Sequence, residues 1–339
     1  MNIVFRVDSS VKIGSGHLMR CLTLSQELKR NNHEISFVCR ELEGNLISLI
    51  EDQVSILTKD DNFYSDDTYL NWLGASQRQD AAQMISVIPK NTDVLIIDSY
   101  SLDELWHKLL RPFVNKIIVI DDLANRKFDC DTLINQNLGI KIEDYKDKIP
   151  NNCSLLLGCN YSLLRPEFPN LRSQALKKRQ STKKVKNILI SMGGSDKNNI
   201  TYAVLEKLDK TFNIVVVLGK TSPHVAMLKD YSKGSHIKIV INTNNMAELM
   251  MDADLMIGAA GSTSWERCCL GLPSLVYVLA DNQIKIAENL EKSEAIIIVK
   301  NLKNDFKAIV NEDNLWKNIS NKASTICDGL GAQRVAQKI

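Results

Sequence analysis

The sequence contains no run of about 18 apolar residues, the length that a membrane-spanning helix needs. Its 42 basic and 40 acidic residues nearly cancel, so its charge gives no reason to expect nucleic acid or a membrane surface as a partner. The eight cysteines show no CxxC spacing, and no cluster of His, Asp and Glu indicates a metal site. No exposed heptad or apolar stripe stands out either. We therefore expect a monomer that uses no metal and no cofactor.

The cysteines stand mostly in apolar runs, which is typical of small buried side chains in a reducing compartment. The chain begins with a strand-like segment at residues 2–7, where a secretion signal would have a basic region and an apolar core. These features predict a cytoplasmic protein.

What the sequence does contain is a regular alternation of short β-branched runs and amphipathic helical stretches. The strand-like runs are residues 2–7, 34–39, 93–97, 116–120, 131–134, 155–157, 187–191, 214–218, 237–241, 255–257, 275–278 and 295–299. Strands that alternate with helices predict mostly parallel sheets covered on both faces. At 339 residues, two domains are expected. The predicted fold class is α/β, with two Rossmann-like, doubly wound domains facing across a cleft.

A basic stretch suggests where the two domains meet. Residues 172–186 carry seven Lys and Arg residues and no acidic residue, which is typical of a solvated linker. A nucleic-acid or phospholipid patch is the alternative, but no aromatic residues interleave these charges. The segment before it, residues 165–169, contains two prolines and is not expected to be continuous helix. We predict an N-terminal domain at 1–164, a linker at 165–185, a second domain at 186–320 and a helical tail at 321–339.

The first strand leads into a glycine-rich loop that ends in a histidine. Gly14 and Gly16 permit positive φ angles and a close approach of backbone to a ligand. His17 follows where a helix is expected to begin, so it combines a proton-exchanging side chain with a helix N-terminus that favours anions. Asp8 is expected to support this loop through hydrogen bonds. The alternative is a tight turn with a helix-capping histidine. His33, His107, His224 and His236 are expected at the surface.

The second half has three loops at predicted strand ends, where open parallel sheets bind ligands. Gly193 and Gly194 can direct backbone N–H groups into a cleft, although a plain turn is the alternative. Ser262 can cap the helix that follows residues 258–261, and Glu266 lies one turn inside that helix. Glu266 can accept hydrogen bonds from ribose hydroxyls or simply compensate the helix dipole. Asn282 and Gln283 offer both donors and acceptors to a sugar or base.

Several of these segments resemble known enzymes. The residues Gly261-Ser262-Thr263-Ser264-Trp265-Glu266, Leu270-Gly271-Leu272-Pro273 and Asn282-Gln283 are similar to the nucleotide-sugar site of GT-B enzymes, particularly the N-acetylglucosaminyltransferase of peptidoglycan synthesis. The N-terminal motif, from Arg6 to Ser10 and from Gly14 to Cys21, resembles the UDP-sugar hydrolases of bacterial pseudaminic acid synthesis. So do the segments 42–46, 97–100 and 163–168. This resemblance extends over nearly the whole chain.

The resemblance implies a GT-B fold and hydrolysis of a UDP-sugar that releases 2,4-diacetamido-2,4,6-trideoxy-L-altrose. It places the proton acceptor on His17, further active-site residues on Tyr100 and Asn282, and UDP binding on Glu266. Ser99 stands where some relatives carry a second histidine. The loop residues considered above, Gly14, Gly16, Gly193, Gly194, Ser262 and Gln283, together with Arg165, are expected to contact substrate or UDP. For Arg165, bracing of the linker is an equal alternative. For Tyr100, the alternative is a half-buried tyrosine at a strand end without a catalytic role.

Two other functions fit the same scaffold. A GT-B glycosyltransferase would share the fold and the UDP site and differ only in its acceptor. A non-catalytic nucleotide-sugar-binding subunit would lack active-site groups, and the presence of His17 and Glu266 counts against it. Water attack at the anomeric carbon, assisted by His17, with inversion and without a metal, is the predicted chemistry.

Overall fold

The computed structural model describes residues 1–193, 196–219 and 222–339. The chain divides into two compact units. The first unit comprises Met1–Leu163 and Leu330–Ile339, and the second comprises Leu164–Gly329.

The first unit is built on a parallel sheet of seven strands in the order β3-β2-β1-β4-β5-β6-β7. These strands are β1 Asn2–Val7, β2 Glu34–Arg40, β3 Gln53–Leu57, β4 Val94–Asp98, β5 Lys116–Ile120, β6 Thr132–Asn135 and β7 Ser154–Leu157. The helices of this unit are α1 Gly16–Arg30, α2 Thr68–Leu73, α3 Gln77–Val87, α4 Glu104–Leu110 and a C-terminal helix, Gly331–Ala336.

Both faces of this sheet are buried. Consecutive residues of a strand point to opposite faces, so each strand contributes side chains to two hydrophobic clusters. On β1, Phe5 packs with α1 in one hydrophobic cluster, whereas Val4 packs on the other face with α3 and α4. On β4, Ile96 and Leu95 divide in the same way. This double burial explains why the strands read as continuous apolar runs in the sequence.

The second unit has a parallel sheet of six strands in the order β10-β9-β8-β11-β12-β13. They are β8 Asn187–Ser191, β9 Asn213–Leu218, β10 Ile237–Ile241, β11 Leu255–Ala259, β12 Ser274–Tyr277 and β13 Ile297–Ile298. Its helices are α5 Glu167–Ser181, α6 Ile200–Leu205, α7 Val225–Tyr231, α8 Met246–Asp252, α9 Thr263–Cys269, α10 Ile284–Lys292, α11 Leu302–Asn311 and α12 Asp313–Ile326. The C-terminal helix Gly331–Ala336 is therefore α13.

Strand order reverses once in each sheet, between β1 and β4 in the first unit and between β8 and β11 in the second. At such a reversal the connections leave the sheet in opposite directions and open a crevice at the carboxyl ends of the two strands. The loop before His17 follows β1, and the loops at Gly193 and Gly261 follow β8 and β11. The fold therefore positions three of the predicted loops at its two switch points.

The predicted strand runs are confirmed, and β3 is the strand that the alternation did not predict. Its sequence, Gln53–Leu57, has only three apolar residues, and it lies at the edge of the sheet with its side chains half exposed. An edge strand needs less apolar surface than a central one, so its pattern is weak. The α/β fold class with two Rossmann-like units is confirmed.

The linker predicted at 165–185 is wrong in its local structure, because Glu167–Ser181 forms helix α5 within the second unit. Pro169 lies in its first turn, where a missing N–H is tolerated. Some of the basic residues bind helix carboxyl ends: Arg172 donates to the carbonyl of Ser324 (2.7 Å) on α12, and Arg179 donates to that of Met250 (2.7 Å) on α8. These two cations compensate helix dipoles. The other exposed members of the run are solvated, as predicted: Lys177, Lys183, Lys184 and Lys186.

The tail predicted at 321–339 is also different, because its residues divide between the two units. Helix α12 ends at Ile326 in the second unit, whereas α13 packs in the first. Gly331 is the first residue of α13 and packs against the backbone of Ser162, where an added Cβ would lie 2.3 Å from the carbonyl oxygen. Only glycine allows this contact. Within the described residues, no helix is long and apolar enough to cross a membrane.

Candidate active site

The glycine-rich loop between β1 and α1 positions His17 at the start of a 15-residue helix. Gly14 has a φ of +81°, which glycine adopts without strain, and its N–H donates to the carbonyl of Ser10 (2.8 Å). Gly16 is the first residue of α1 and lacks a positive φ, so only Gly14 uses the freedom that both glycines offer. His17 is 8% exposed. The predicted strand–loop–helix position of His17 is confirmed.

The ring of His17 is held by a buried carboxylate. Its Nδ1 lies 2.5 Å from Oδ1 of Asp98, the last residue of β4. Asp98 also accepts two hydrogen bonds from Arg20, at 2.5 and 2.6 Å. Burial alone would raise the pKa of Asp98, but the charge of Arg20 and the hydrogen bonds from Arg20 and His17 hold it well below its usual range. The carboxylate of Asp98 is an acceptor for Nδ1–H of His17, and in the tautomer that donates from Nδ1 the lone pair of the ring lies on Nε2.

Tyr100 stacks edge-on against His17, with ring centroids 4.5 Å apart. Its hydroxyl donates to Oδ2 of Asp122 (2.8 Å), which also accepts from Arg20 (2.7 Å). Burial and the charge of Asp122 raise the pKa of Tyr100 well above its usual value. Tyr100 therefore stays protonated and acts as a hydrogen-bond donor, not as a base.

Sequence reasoning gave no role to Arg20, Asp98 or Asp122, which complete this cluster. Only Arg20 had a local signal, because it lies three residues after His17 on the same helix face. Asp98 ends a strand whose place beside β1 the sequence pattern does not specify. The role expected for Asp8 is wrong. Its Oδ1 accepts from Nη1 of Arg6 (2.6 Å) and from the backbone N–H of Arg40 (2.6 Å), so Asp8 joins two strands instead of bracing the glycine loop.

Two loops of the second unit, at Gly193 and at Ser262, contain residues predicted to bind the nucleotide. Gly193 has a φ of +88°, and Gly194 lies outside the described residues. Ser262 occupies the N-cap position of the seven-residue helix α9, but its exposed side chain makes no capping hydrogen bond. Gly258 is required for packing, since an added Cβ would lie 2.6 Å from the carbonyl oxygen of Ser191 on β8.

Glu266 and Arg165 lie close together in this unit. Nη2 of Arg165 is 3.6 Å from Oε1 of Glu266, and its Nη1 is 3.0 Å from Oε1 of Glu167. Burial raises the pKa of Glu266 to about 7, and the positive charge of Arg165 opposes this rise. Arg165 thus contacts two carboxylates of its own unit.

Asn282 and Gln283 lie in the short 3-10 turn Asp281–Gln283 that follows β12. Asn282 is exposed, whereas Oε1 of Gln283 accepts a hydrogen bond from the N–H of Leu279 (2.9 Å). Gln283 therefore holds the turn that presents Asn282.

The surface position predicted for His107 is wrong. It is fully buried in the first unit, stacked on Phe128, and burial lowers its pKa to about 3. His107 remains neutral and belongs to the core. Among the described residues no group of three or more His, Cys, Asp and Glu side chains could hold a metal ion.

Comparison with known proteins relates this geometry to enzymes. Residues 168–312 match the profile of the glycosyltransferase family 28 C-terminal domain. The chain is 35% identical to the MJ1062 protein of Methanocaldococcus jannaschii over 84% of its own length, and spans 57% of that protein. It is 29% identical to the UDP-2,4-diacetamido-2,4,6-trideoxy-beta-L-altropyranose hydrolase of Campylobacter jejuni, covering 86% of this chain and 97% of that enzyme.

The crystal structure of MurG from Acinetobacter baumannii superposes with a TM-score of 0.66, covering 100% of this chain and 99% of that one at 14% identity. The chain has the GT-B fold. At this identity the likeness concerns the fold alone. Within this GT-B fold, the first unit carries His17, and the match to the family 28 domain covers most of the second unit, which carries Glu266.

Proposed function

We propose that this chain is a UDP-sugar hydrolase that cleaves the anomeric C1–O bond of UDP-2,4-diacetamido-2,4,6-trideoxy-β-L-altropyranose to UDP and the free sugar. The observation that carries the proposal is the 2.5 Å contact between Nδ1 of His17 and Asp98, which leaves Nε2 to accept a proton. The similarity to the Campylobacter enzyme over 97% of its length supports the choice of substrate.

In the proposed reaction, water attacks C1 of the sugar while the bond from C1 to the diphosphate oxygen breaks. The proton of the water passes to Nε2 of His17, and the sugar is released with an inverted anomeric centre. UDP is a good leaving group, so the protein needs to orient the water more than to protonate the departing oxygen. Tyr100, which stays protonated beside His17, is assigned to positioning the sugar or the water.

Nucleotide binding is assigned to the second unit. Glu266 is the proposed acceptor for the ribose hydroxyls, because its partly buried carboxylate is restrained by Arg165. The loops at Gly193 and Ser262 are proposed to contact the diphosphate, and Gln283 and Asn282 the uncharged parts of the ligand. The match to a glycosyltransferase C-terminal domain supports a nucleotide site here.

The function is tested by incubating the purified protein with this UDP-sugar in ¹⁸O-labelled water without any acceptor. We expect UDP release with the label in the C1 hydroxyl of the free sugar. Label in the phosphate of UDP would contradict anomeric attack, and a complete absence of UDP release would overturn the hydrolase.

A glycosyltransferase is the second candidate, favoured by the match of residues 168–312 to the glycosyltransferase family 28 C-terminal domain. The same assay separates the two activities. A transferase would release UDP slowly in water and rapidly once a sugar or lipid acceptor is supplied, whereas a hydrolase would be indifferent to the acceptor.

We expect Asp98→Asn to lower kcat by about 10²-fold, because the amide has no negative charge to hold the ring of His17 and turns an NH₂ donor toward Nε of Arg20, from which Oδ2 of the carboxylate accepts. The sharper expectation concerns the double variant with His17→Asn, which should be no slower than His17→Asn alone, since Asp98 acts through the imidazole. Steady-state kinetics on folded samples, verified by circular dichroism, gives the answer. Additive losses would show that Asp98 acts independently of His17.

UDP affinity is expected to fall as the pH drops below about 7. The pKa of Glu266 is raised to about 7, so acidification converts the carboxylate to a neutral carboxyl group, which keeps a carbonyl acceptor but loses the charge that strengthens its hydrogen bonds with ribose. The slope of affinity against pH should therefore be steepest near that pKa, with a total loss of about tenfold. Calorimetric titrations with UDP at several pH values should show this slope in wild type and in the exposed control Glu288→Gln. The slope should be largely abolished in Glu266→Gln, and an unchanged slope there would exclude Glu266 as its source.

A further inference from the structure

A second feature lies beside His17 in the first unit. A small recess, partly open to solvent, is lined by Asp8, Ile13, His17, Trp72, Leu73 and Tyr100, together with other residues of the same unit. Its size suits only a small part of a ligand. We call it the Asp8 recess. His17 and Tyr100 form one of its walls, so its contents lie next to the proposed base.

One of the residues that line the Asp8 recess, Asp8 itself, has a buried acceptor atom without a partner. Asp8 is 4% exposed, and its Oδ1 accepts from Arg6 and from the N–H of Arg40. Its Oδ2 is buried and finds no hydrogen-bond donor in the described part of the chain. An unsatisfied buried carboxylate oxygen is costly, and native proteins rarely keep one without a reason. A ligand that donates an N–H or O–H would satisfy it.

Charge decides which part of a nucleotide sugar fits. The residues that line the recess include two acidic ones, Asp8 and Asp98, and no Lys or Arg, so the recess offers no arginine or lysine to a diphosphate. Part of the lining is apolar and aromatic: Trp72 packs edge-on against Tyr69 (4.9 Å), which in turn packs edge-on against Tyr100 (5.3 Å). A group that fits this recess has a polar N–H on one side and a small apolar end on the other.

We propose that the Asp8 recess binds one N-acetyl substituent of the sugar. The amide N–H donates to Oδ2 of Asp8, and the methyl group contacts Trp72 and Ile13. This inference rests on the proposed function for the identity of the ligand, a UDP-linked diacetamido sugar. It adds two specificity-determining residues, Asp8 and Trp72, for which sequence reasoning assigned no role in substrate recognition. Anchoring the substituent there would also fix the orientation of the ring beside His17.

The test measures equilibrium binding to the His17→Asn variant, so that no ligand is consumed. The probes are the UDP-diacetamido sugar and two analogues in which one or the other acetamido group is replaced by hydrogen. We expect one analogue to bind at least about 10²-fold more weakly than the parent, because it leaves Asp8 unpaired and the recess unfilled. Adding Trp72→Ala should reduce this discrimination to a few-fold, with the affinity for UDP itself unchanged.

Controls separate the possible failures. The exposed Tyr64, in the segment before α2, provides the matched variant Tyr64→Ala, which should keep full discrimination. Asp8→Asn should also lose discrimination, and thermal denaturation shows whether it folds, because Asp8 pairs with Arg6. Equal binding of all three ligands, or discrimination that survives Trp72→Ala, would overturn the recess assignment. Discrimination without any hydrolysis by wild type would instead overturn the proposed reaction and leave the recess assignment supported.

Discussion

Replacing His17 with Asn is expected to lower kcat by about 10²–10⁴-fold, the usual contribution of a positioned general base. Asn resembles the imidazole in polarity but cannot take a proton from water. The affinity for UDP should remain within about twofold of wild type, because the residues assigned to UDP belong to the second unit. Steady-state hydrolysis and calorimetric titration with UDP measure the two effects separately.

The matched control is His33→Asn, which makes the same substitution at a histidine whose partner is the terminal amine of Met1. It should retain wild-type kcat and wild-type UDP affinity. Full activity in His17→Asn would show that another group activates the water. A loss of UDP affinity equal to the loss of kcat would assign His17 to ground-state binding and not to the chemical step.

The parts of the site that sequence reasoning predicted depend on local patterns. A β-branched run, a glycine with room for a positive φ and a histidine at a helix start are neighbours in the chain, and Gly14 and His17 stand where this pattern placed them. The contact between His17 and Asp98 joins residues 81 positions apart. It exists because β1 and β4 are adjacent in the sheet, and alternation of strands and helices does not specify strand order.

The misread segments have a similar cause. The composition of the basic run at 172–186 is typical of a solvated linker. The carbonyls at the ends of α8 and α12, which lie beside it in the structure, are distant in the sequence. His107 stands between Trp106 and Lys108, a mixed context that does not reveal that its fully buried ring packs on Phe128. In both segments the partner is distant in the chain, so the composition of the segment itself misleads.

A buried ionic network supports the strand from which the site begins. Asp80 on α3 accepts hydrogen bonds from Arg6 on β1 (2.6 Å), Arg40 on β2 (2.7 Å) and the indole of Trp106 (2.9 Å). Arg6 in turn holds Asp8, which lines the recess beside His17. Asp80, Arg6 and Arg40 are all 0% exposed. The network therefore links the position of Asp8 to the packing of two helices on the sheet.

Asp80→Asn is expected to destabilise the first unit by about 3–5 kcal/mol, because it leaves buried arginines without their shared counter-charge. Hydrogen–deuterium exchange of the whole chain should show lost protection in β1, β2 and α3, and unchanged protection in β8 and β11. Asp61→Asn removes a carboxylate whose side chain is 87% exposed and should change stability by less than about 0.5 kcal/mol. Equal protection in Asp80→Asn and wild type would mean that the network contributes little.

The stability difference between wild type and Asp80→Asn is expected to depend on pH. Burial alone would raise the pKa of Asp80, but Arg6 and Arg40 hold it below its usual value. A depressed folded-state pKa stabilises the protein above the unfolded-state pKa of about 4, and that contribution is lost as the pH falls through the folded-state pKa. Denaturation by urea between pH 7 and pH 3 should therefore show a gap between wild type and Asp80→Asn that narrows as the pH falls below about 4. A gap that stays constant down to pH 3 would show that lost packing, and not the charge of Asp80, destabilises the variant.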